Sequence, residues 1–161
     1  MFYLDLFSAL DRHGVDYTVI GGLAVALHGV ERATMDIDVA VAMTAKNLAA
    51  LVDVARELGL TPALPVPLLT LTDIDLLSKW HAERRLQAFA LCSPDAAGIS
   101  VDVLLFPPVA FPDLHRRSVV FDVAGVPVRV VAVEDLIALK EAAGRSIDRS
   151  DVEHLKRLKG L

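Results

Sequence analysis

The chain has 161 residues, 54% of them hydrophobic, and a formal net charge of −5. This length suffices for one domain with a hydrophobic core, and the acidic balance argues against a surface that coats nucleic acid. No apolar run reaches the ~18 residues of a membrane span. The N-terminal segment lacks the cationic start of a secretory signal, and the single Cys92 has no partner for an internal disulfide. We therefore expect a cytoplasmic protein without a membrane partner.

Short strands and glycine-ended helices are predicted to alternate through the first sixty residues. The strand predictions rest on β-branched runs, and the helix predictions rest on apolar residues at helical spacing that stop at a glycine. Thr44 is the expected N-cap of the third helix. The predicted order is helix 1–14, strand 15–21, helix 21–29, strand 37–43 and helix 45–59. Three prolines within 61–69 then predict a connection without regular structure.

The second half is predicted to contain a helix capped by Thr72, further strands and two closing helices. Turn residues in SPDAAG separate two of the strands, and Ala124 with Gly125 form the expected turn of a hairpin. The predicted order is helix 73–85, strands 85–92 and 99–106, hairpin 119–131, and helices 133–144 and 149–160.

This order predicts an α/β (α+β) fold in which a small mixed β-sheet is flanked by helices. We expect one domain over residues 1–161. Its core would span about 1–131, and a C-terminal helical element would span about 132–161.

The tripeptide Asp-Ile-Asp occurs twice in the chain. On a strand, residues two apart project to the same face about 6.6 Å apart, so Asp36 and Asp38 would direct both carboxylates into one site. On a helix the same spacing turns the chain by about 200°, so Asp73 and Asp75 would point to nearly opposite sides. The residues after the first copy alternate as in a strand, whereas those after the second have helical spacing. The first copy is therefore the candidate cation site.

Two further features support the first copy. Gly21 and Gly22 follow a predicted strand and begin a predicted helix, where backbone N–H groups can approach a phosphate. Asp102 lies within an otherwise apolar strand, and an isolated buried carboxylate needs a partner, a metal or a proton. If this strand lies beside the first copy, Asp102 joins Asp36 and Asp38. The other interpretation is a half-exposed strand position without a role.

The stretch VIGGLAVALHGVERATMDIDVAV resembles the signature of the nucleotidyltransferase superfamily with the DNA polymerase beta-like fold. That signature has a hydrophobic residue, paired Gly or Gly-Ser, two acids flanking one apolar residue, and a later strand acid. The Gly-Gly pair followed by ERATMDID, with KEAAGRSIDRSDVEHL near the end, is similar to small bacterial nucleotidyltransferases grouped with AbiEii-type toxins. Gly22 departs from the Ser of many relatives, which removes one hydroxyl contact to phosphate.

The resemblance implies the nucleotidyltransferase fold and the transfer of a nucleoside monophosphate from an NTP such as ATP, with release of pyrophosphate. The acids matching Asp36 and Asp38 bind two catalytic Mg²⁺ ions. The acid matching Asp102 completes one metal site and helps to activate the acceptor hydroxyl. The glycines matching Gly21 and Gly22 hold the triphosphate. Two ions ~3.5–4 Å apart would clamp the attacking and leaving oxygens, which explains the need for three carboxylates.

Several charged or polar residues outside the acids and glycines are candidate nucleotide contacts. Arg32 and Thr34 precede the acids, and Arg32 is open to either a phosphate contact or an ion pair. Lys140 matches the C-terminal lysine of the family, for which the resemblance implies a phosphate contact. The residues expected to have structural roles are His28, Arg145, Asp148 and Asp151, the last three through caps and ion pairs between the final helices.

Three functions fit these patterns. The first is an Mg²⁺-dependent nucleotidyltransferase acting on RNA such as tRNA, on a protein or on a small molecule, and resembling the toxin of a pair with an antitoxin partner. The second is a non-catalytic nucleotide-binding or regulatory protein that keeps the fold. The third is a structural protein whose acids only cap helices or form ion pairs. We expect the C-terminal helices, the proline-rich connection or a partner chain to hold any acceptor.

Overall fold

The computed structural model of the chain describes residues 2–95 and 98–161. Its strands are β1 (Tyr17–Ile20), β2 (Asp36–Val41), β3 (Thr61–Pro62), β4 (Ala88–Cys92), β5 (Ser100–Leu104), β6 (Val119–Val123) and β7 (Val126–Val130). Its helices are α1 (Phe2–Arg12), α2 (Gly21–Leu27), α3 (Ala45–Leu58), α4 (Ile74–Arg84), α5 (Phe111–Arg117), α6 (Val133–Ala143) and α7 (Ser146–Lys159), and a 3₁₀ helix spans Leu68–Thr72. The described strands form one mixed sheet in the order β3-β4-β5-β2-β1-β7-β6.

The centre of the sheet brings three segments of distant sequence together. Strand β2 pairs antiparallel with β1 on one side and parallel with β5 on the other. All four residues of β1 are buried, as expected for a short β-branched and aromatic run at the middle of a sheet. This order places the end of β1 and the acids of β2 and β5 next to one another.

Alternation along β5 separates a buried face from an open one. Val101 and Val103 are buried, whereas Ser100, Asp102 and Leu104 are only partly covered. Successive strand residues point to opposite faces, so the valines join the hydrophobic core that also receives α1, α3 and α6. The face that carries Asp102 is left accessible to a ligand.

The α/β fold with a mixed sheet flanked by helices is confirmed, and so are several local predictions. Thr44 caps α3, because its hydroxyl accepts a hydrogen bond from the Asn47 N–H at 3.2 Å. The hairpin between β6 and β7 turns at Ala124 and Gly125, which have φ values of 52° and 85°. Positive φ at both central residues defines the tight turn that matches the twist of a hairpin.

Residues 61–69 differ from the prediction of an irregular connection. Thr61 and Pro62 form the two-residue strand β3, which pairs with β4 at an edge of the sheet. The 3₁₀ helix starts within the same segment, at Leu68. Proline is tolerated at an edge because no neighbouring strand needs its missing N–H, so proline content alone could not exclude a strand here.

The start of three helices also differs from expectation. Thr72 does not cap α4; the Asp73 carboxylate does, by accepting the Leu76 N–H at 3.1 Å. Helix α7 begins at Ser146 rather than 149, and the Asp148 carboxylate accepts the Arg145 N–H at 3.1 Å. Helix α5 was not predicted, although it has Pro112 at its start and basic residues in its last turn.

The part of the chain that the structure describes contains no helix long and apolar enough to cross a membrane. The expected turn between β4 and β5 includes Ala96 and Ala97, which lie outside the described residues.

Candidate active site

Asp38 and Asp102 form a carboxylate pair on neighbouring strands. They are register partners in the parallel pairing of β2 with β5, and residues paired in this way share a face of the sheet. The predicted meeting of Asp102 with the first Asp-Ile-Asp copy is therefore present for Asp38.

Asp36 lies farther out. It is the exposed first residue of β2, and its register partner is Ser100 rather than an acid. The Ser100 hydroxyl donates a hydrogen bond of 2.7 Å to Asp102 Oδ1. Ser100 was not predicted as a site residue, although its position two residues before Asp102 places it on the same strand face. Ser100 thus holds Asp102, one member of the pair, and Asp36 is a third acid that lies outside the pair.

Burial and neighbouring negative charges change the protonation of Asp38. Burial is the largest cause, followed by the charges of Asp102 and Asp36, and together they raise the pKa of Asp38 from 3.8 to about 6. The positive charge of Lys140 opposes this rise. A site that holds carboxylates against mutual repulsion is suited to binding a cation that relieves it.

Gly21 packs directly on the Asp38 side chain. It has a φ of +69°, and a Cβ at this position would lie 2.8 Å from Asp38 Cγ and would overlap the carboxylate oxygen. Both the backbone conformation and the contact therefore require glycine. The glycine turn between β1 and α2 and the first Asp-Ile-Asp copy are parts of one site.

Gly22 approaches the segment that precedes β2. A Cβ there would lie 3.2 Å from Thr34 Cβ and 3.4 Å from Arg32 Cζ. Thr34 directs its hydroxyl to the Asp36 backbone, with a hydrogen bond of 3.2 Å to the carbonyl oxygen. Thr34 thus fixes the backbone at the start of β2, whereas the sequence predicted a nucleotide contact for it.

Lys140 and Arg32 meet at one buried acid. Lys140 Nζ lies 3.0 Å from Asp151 Oδ2 and 3.4 Å from Asp148 Oδ1, and Arg32 Nε lies 3.0 Å from Asp151 Oδ1. Lys140 and both acids of α7 are buried. Of the two interpretations left open for Arg32, the ion pair is the one present. The predicted locking of α6 to α7 by ion pairs is also present.

A cleft of about 740 Å³ lies between α6 and the open face of β5. Four predicted site residues line it: Gly21, Asp38, Asp102 and Lys140. The remaining predicted residues do not line it: Gly22, Arg32, Thr34 and Asp36. Arg145 does line it. The hydrogen bond and the charge of Asp148 are the main causes that raise the pKa of Arg145, and the charge of Asp38 adds a smaller rise. The sequence had assigned Arg145 only a structural role.

His28 has the structural role expected from the sequence. Its Nε2 lies 2.7 Å from the Val131 carbonyl oxygen, and its ring meets Phe121 edge to face. It is not among the residues that line the cleft.

The pair of acids fits Mg²⁺ by its chemistry. Mg²⁺ prefers oxygen ligands and is commonly held by one or two carboxylates together with water and substrate phosphates. Within residues 2–95 and 98–161, no three Asp, Glu, His or Cys side chains converge tightly enough to hold a metal ion by themselves. For a bound Mg²⁺, Asp38 and Asp102 would supply two ligands, and the phosphates of a substrate would have to supply others.

No protein-family model and no curated protein sequence matches the chain. Solved structures do match it. ANT(2″)-Ia in complex with adenylyl-2″-tobramycin has a TM-score of 0.61 at 15% identity, over 97% of this chain and 86% of that one. The lincomycin-bound lincosamide antibiotic adenylyltransferase LnuA has a TM-score of 0.59 at 14% identity, over 98% and 94%. An antigenic nucleotidyltransferase-like protein from Paracoccidioides brasiliensis has a TM-score of 0.56 at 16% identity, over 96% and 76%.

These matches cover nearly the whole chain, so it has the nucleotidyltransferase fold. The identities are too low to carry more than the fold. The narrower similarity to AbiEii-type proteins stays a prediction.

Proposed function

We propose that the protein transfers a nucleoside monophosphate from an NTP to a hydroxyl group of an acceptor. The observation that carries this proposal is the register pairing of Asp38 with Asp102 directly against the Gly21 turn. Carboxylates for a cation and bare backbone for a phosphate then lie in one cleft. ATP is the NTP we favour, because two of the similar structures are described as adenylyl-carrying or adenylyltransferase proteins.

In this reaction the acceptor oxygen forms a bond to the α-phosphorus. The bond between that phosphorus and the oxygen bridging to the β-phosphate breaks, and pyrophosphate leaves with the electron pair. Asp102, whose carboxylate Ser100 orients, takes the hydroxyl proton. The Gly21 turn and Arg145 bind the phosphates, and Lys140 offsets the charge of Asp38. Bound Mg²⁺, as two ions if Asp36 also takes part, would neutralise phosphate and carboxylate charge.

The similar structures support a small-molecule acceptor over RNA or a protein, because one holds adenylyl-2″-tobramycin and another lincomycin. A toxin-like role with an antitoxin partner would instead need a macromolecular target such as tRNA. The toxin-like role therefore belongs to the proposed function only for an RNA or protein acceptor.

One observation favours the non-catalytic alternative, a nucleotide-binding or regulatory protein. Asp36 is exposed and does not join Asp38 and Asp102 in a three-ligand cluster within the described residues. A protein in this state could bind NTP without turning it over.

Incubation of the full chain with each [α-³²P]NTP and MgCl₂ separates the two functions. We expect release of pyrophosphate and movement of label to an acceptor or, through water, to free NMP. This activity should need Mg²⁺ and should be lost in Asp102→Asn. NTP binding by equilibrium dialysis without any turnover by the wild type would instead support the non-catalytic function.

A further inference from the structure

One end of the cleft has a composition unlike the rest. We define the distal end of the cleft as His81, Gln87, Ala88, Leu104, Phe106 and Pro108. None of these six side chains is an acid, a lysine or an arginine. The charged lining residues are Asp38, Asp102, Lys140, Arg145 and Asp148, and none of them belongs to this group. The distal end therefore suits an uncharged group with apolar surface.

The distal end continues directly from the carboxylate pair. Leu104 follows Asp102 on the same face of β5, about 6.6 Å farther along the strand, and Phe106 comes next in the lining. A ligand group on Leu104 and Phe106 can thus extend to Asp102 without leaving the sheet.

Small side chains keep this face open. Across the β4–β5 pairing, Ala90 lies opposite Asp102 and Ala88 lies opposite Leu104. Both alanines are only partly buried, whereas the alternate residue Phe89 is fully buried in the core. The open face of β4 therefore contributes only a methyl group at each of the positions opposite Asp102 and Leu104, which leaves room for a ligand.

His81 supplies a polar atom at this end. Its Nδ1 lies 2.8 Å from the Leu86 carbonyl oxygen. A carbonyl can only accept, so Nδ1 carries the proton of this bond. The ring packs on Phe106 with centroids 5.1 Å apart. Nε2 has no hydrogen-bond partner among residues 2–95 and 98–161 and is available to a ligand in the cleft.

Reaction geometry assigns this end to one substrate. The attacking and leaving oxygens lie on opposite sides of the α-phosphorus. The sheet order runs from β1, which ends at the Gly21 turn, through Asp38 on β2 and Asp102 on β5 to β4. Triphosphate at the glycine turn therefore places pyrophosphate toward β1 and the acceptor toward β4.

We propose that the distal end binds the acceptor and selects an uncharged small molecule with an apolar portion and a hydroxyl group. The apolar portion packs on Leu104 and Phe106, the reacting hydroxyl reaches Asp102, and His81 Nε2 hydrogen bonds to a second polar group. RNA is a poorer fit for the lining itself, because none of the six residues at this end is a Lys or Arg that could meet a phosphate. The inference rests on the proposed function and adds the acceptor class.

A matched pair of sugars tests the apolar requirement. n-Hexyl β-D-glucoside and methyl β-D-glucoside carry the same hydroxyls and differ only in the alkyl chain. With [α-³²P]ATP and MgCl₂ as donor, we expect the hexyl compound to accept label with a kcat/KM at least about 10-fold higher, because its added methylenes bury against Leu104 and Phe106.

Two variants locate the preference, and a third serves as the control. Phe106→Ala removes the apolar wall, and Ala88→Leu fills the space without removing a packing contact. Both should reduce the hexyl-over-methyl ratio to about 2-fold or less. Phe121→Ala is the control, because Phe121 also packs on a histidine, His28, but lies outside the cleft lining. It should keep the ratio.

Three results would overturn the acceptor assignment while leaving the proposed function intact: equal labelling of both sugars, labelling of tRNA alone, or release of AMP with no labelled sugar. Equal loss of the ratio in Phe121→Ala and in the two cleft variants would also overturn it. Absence of any Mg²⁺-dependent ATP turnover would overturn both proposals.

Discussion

The two Asp-Ile-Asp copies have the same sequence but different surroundings in the structure. In the first, Asp38 faces the cleft beside Asp102 and Gly21. In the second, Asp73 caps α4 through the Leu76 N–H, and Asp75 lies in the first helical turn. Neither acid of the second copy lines the cleft.

The difference teaches that the element around a motif decides which partners its side chains meet. A strand joins its residues to neighbouring strands, so β2 brings Asp38 to an acid that is 64 positions away in the chain. A helix start satisfies an acid locally, because unpaired backbone N–H groups lie within three residues. The second copy therefore has the partner it needs within its own helix.

Replacing one Asp by Asn in each copy should give the largest difference in the rate of transfer. Asp38→Asn removes a carboxylate from the pair and is expected to reduce nucleotidyl transfer by ~10²–10³-fold or more, the scale of lost electrostatic stabilisation of a transition state. Asp75→Asn should leave transfer within about twofold of the wild type, as is usual for exposed sites. The measurement is the initial rate of pyrophosphate release with ATP and MgCl₂. A similar loss in both variants would contradict the assignment of one functional copy.

Two glycines with similar positive φ values sharpen the contrast. Gly21 and Gly14 have φ values of +69° and +67°, but a Cβ on Gly14 would meet nothing within 4 Å. Gly14→Ala should therefore cost only about 1 kcal/mol, for the left-handed conformation. Gly21→Ala adds the overlap with Asp38 and should cost about 2–4 kcal/mol. Urea unfolding measures both values.

Activity provides the second comparison between these glycines. Gly21→Ala should also lose transfer, since Asp38 must move, whereas Gly14→Ala should keep it. Equal stability and activity in the two variants would mean that the Gly21 contact with Asp38 has no consequence.

The pH dependence of stability should distinguish the copies next. The pKa of Asp38 is raised from 3.8 to about 6 in the folded protein. The folded state therefore favours protonated Asp38. The stability that this protonation contributes is fully present below about pH 3.8 and is lost as the pH rises through about 6. Above that window Asp38 costs about 1–3 kcal/mol of stability.

Chemical unfolding in EDTA at pH 4.5 and pH 7.5 tests this prediction. From pH 4.5 to pH 7.5, the free energy of unfolding of Asp38→Asn should fall less than that of the wild type. The free energy of unfolding of Asp75→Asn should change as in the wild type. Added Mg²⁺ should stabilise the wild type at pH 7.5 by binding the folded state. If the free energies of unfolding of the wild type and Asp38→Asn differ by the same amount at pH 4.5 and pH 7.5, this result would contradict the raised pKa of Asp38.

The central site was predictable because its signals are local and periodic. Alternation after Asp36 predicts a strand, and paired glycines after a strand predict a turn that suits phosphate. Asp102 was identified by its apolar surroundings alone. The parallel pairing of β2 with β5 places Asp102 beside Asp38. The sequence could state this pairing only as a condition and could not establish it.

Other parts of the site depend on tertiary contacts that sequence patterns do not encode. Asp36 shares the strand face with Asp38 yet is exposed as the first residue of β2, and its register partner on β5 is Ser100 rather than an acid. The sequence leaves Arg32 open to a phosphate contact or an ion pair, and only the fold shows that its partner is Asp151, far along the chain. Arg145 was assigned to the helix turn, and only the position of α6 against the sheet shows that it lines the cleft.

The smallest expected effect is the loss of stability on changing Asp73 in the second copy. Asp73→Ala removes the acceptor for the Leu76 N–H and should cost about 1 kcal/mol of stability, the usual value of an N-cap. Asp73→Asn keeps a side-chain oxygen and should cost only a few tenths of that, since Asn caps as well as Asp. Neither change should alter the rate of transfer, because Asp73 does not line the cleft. Urea unfolding and the pyrophosphate assay on the same samples check both statements. A loss of transfer in Asp73→Ala that Asp73→Asn restores would connect α4 and its cap to the distal end of the cleft through His81, and the two copies would no longer be independent.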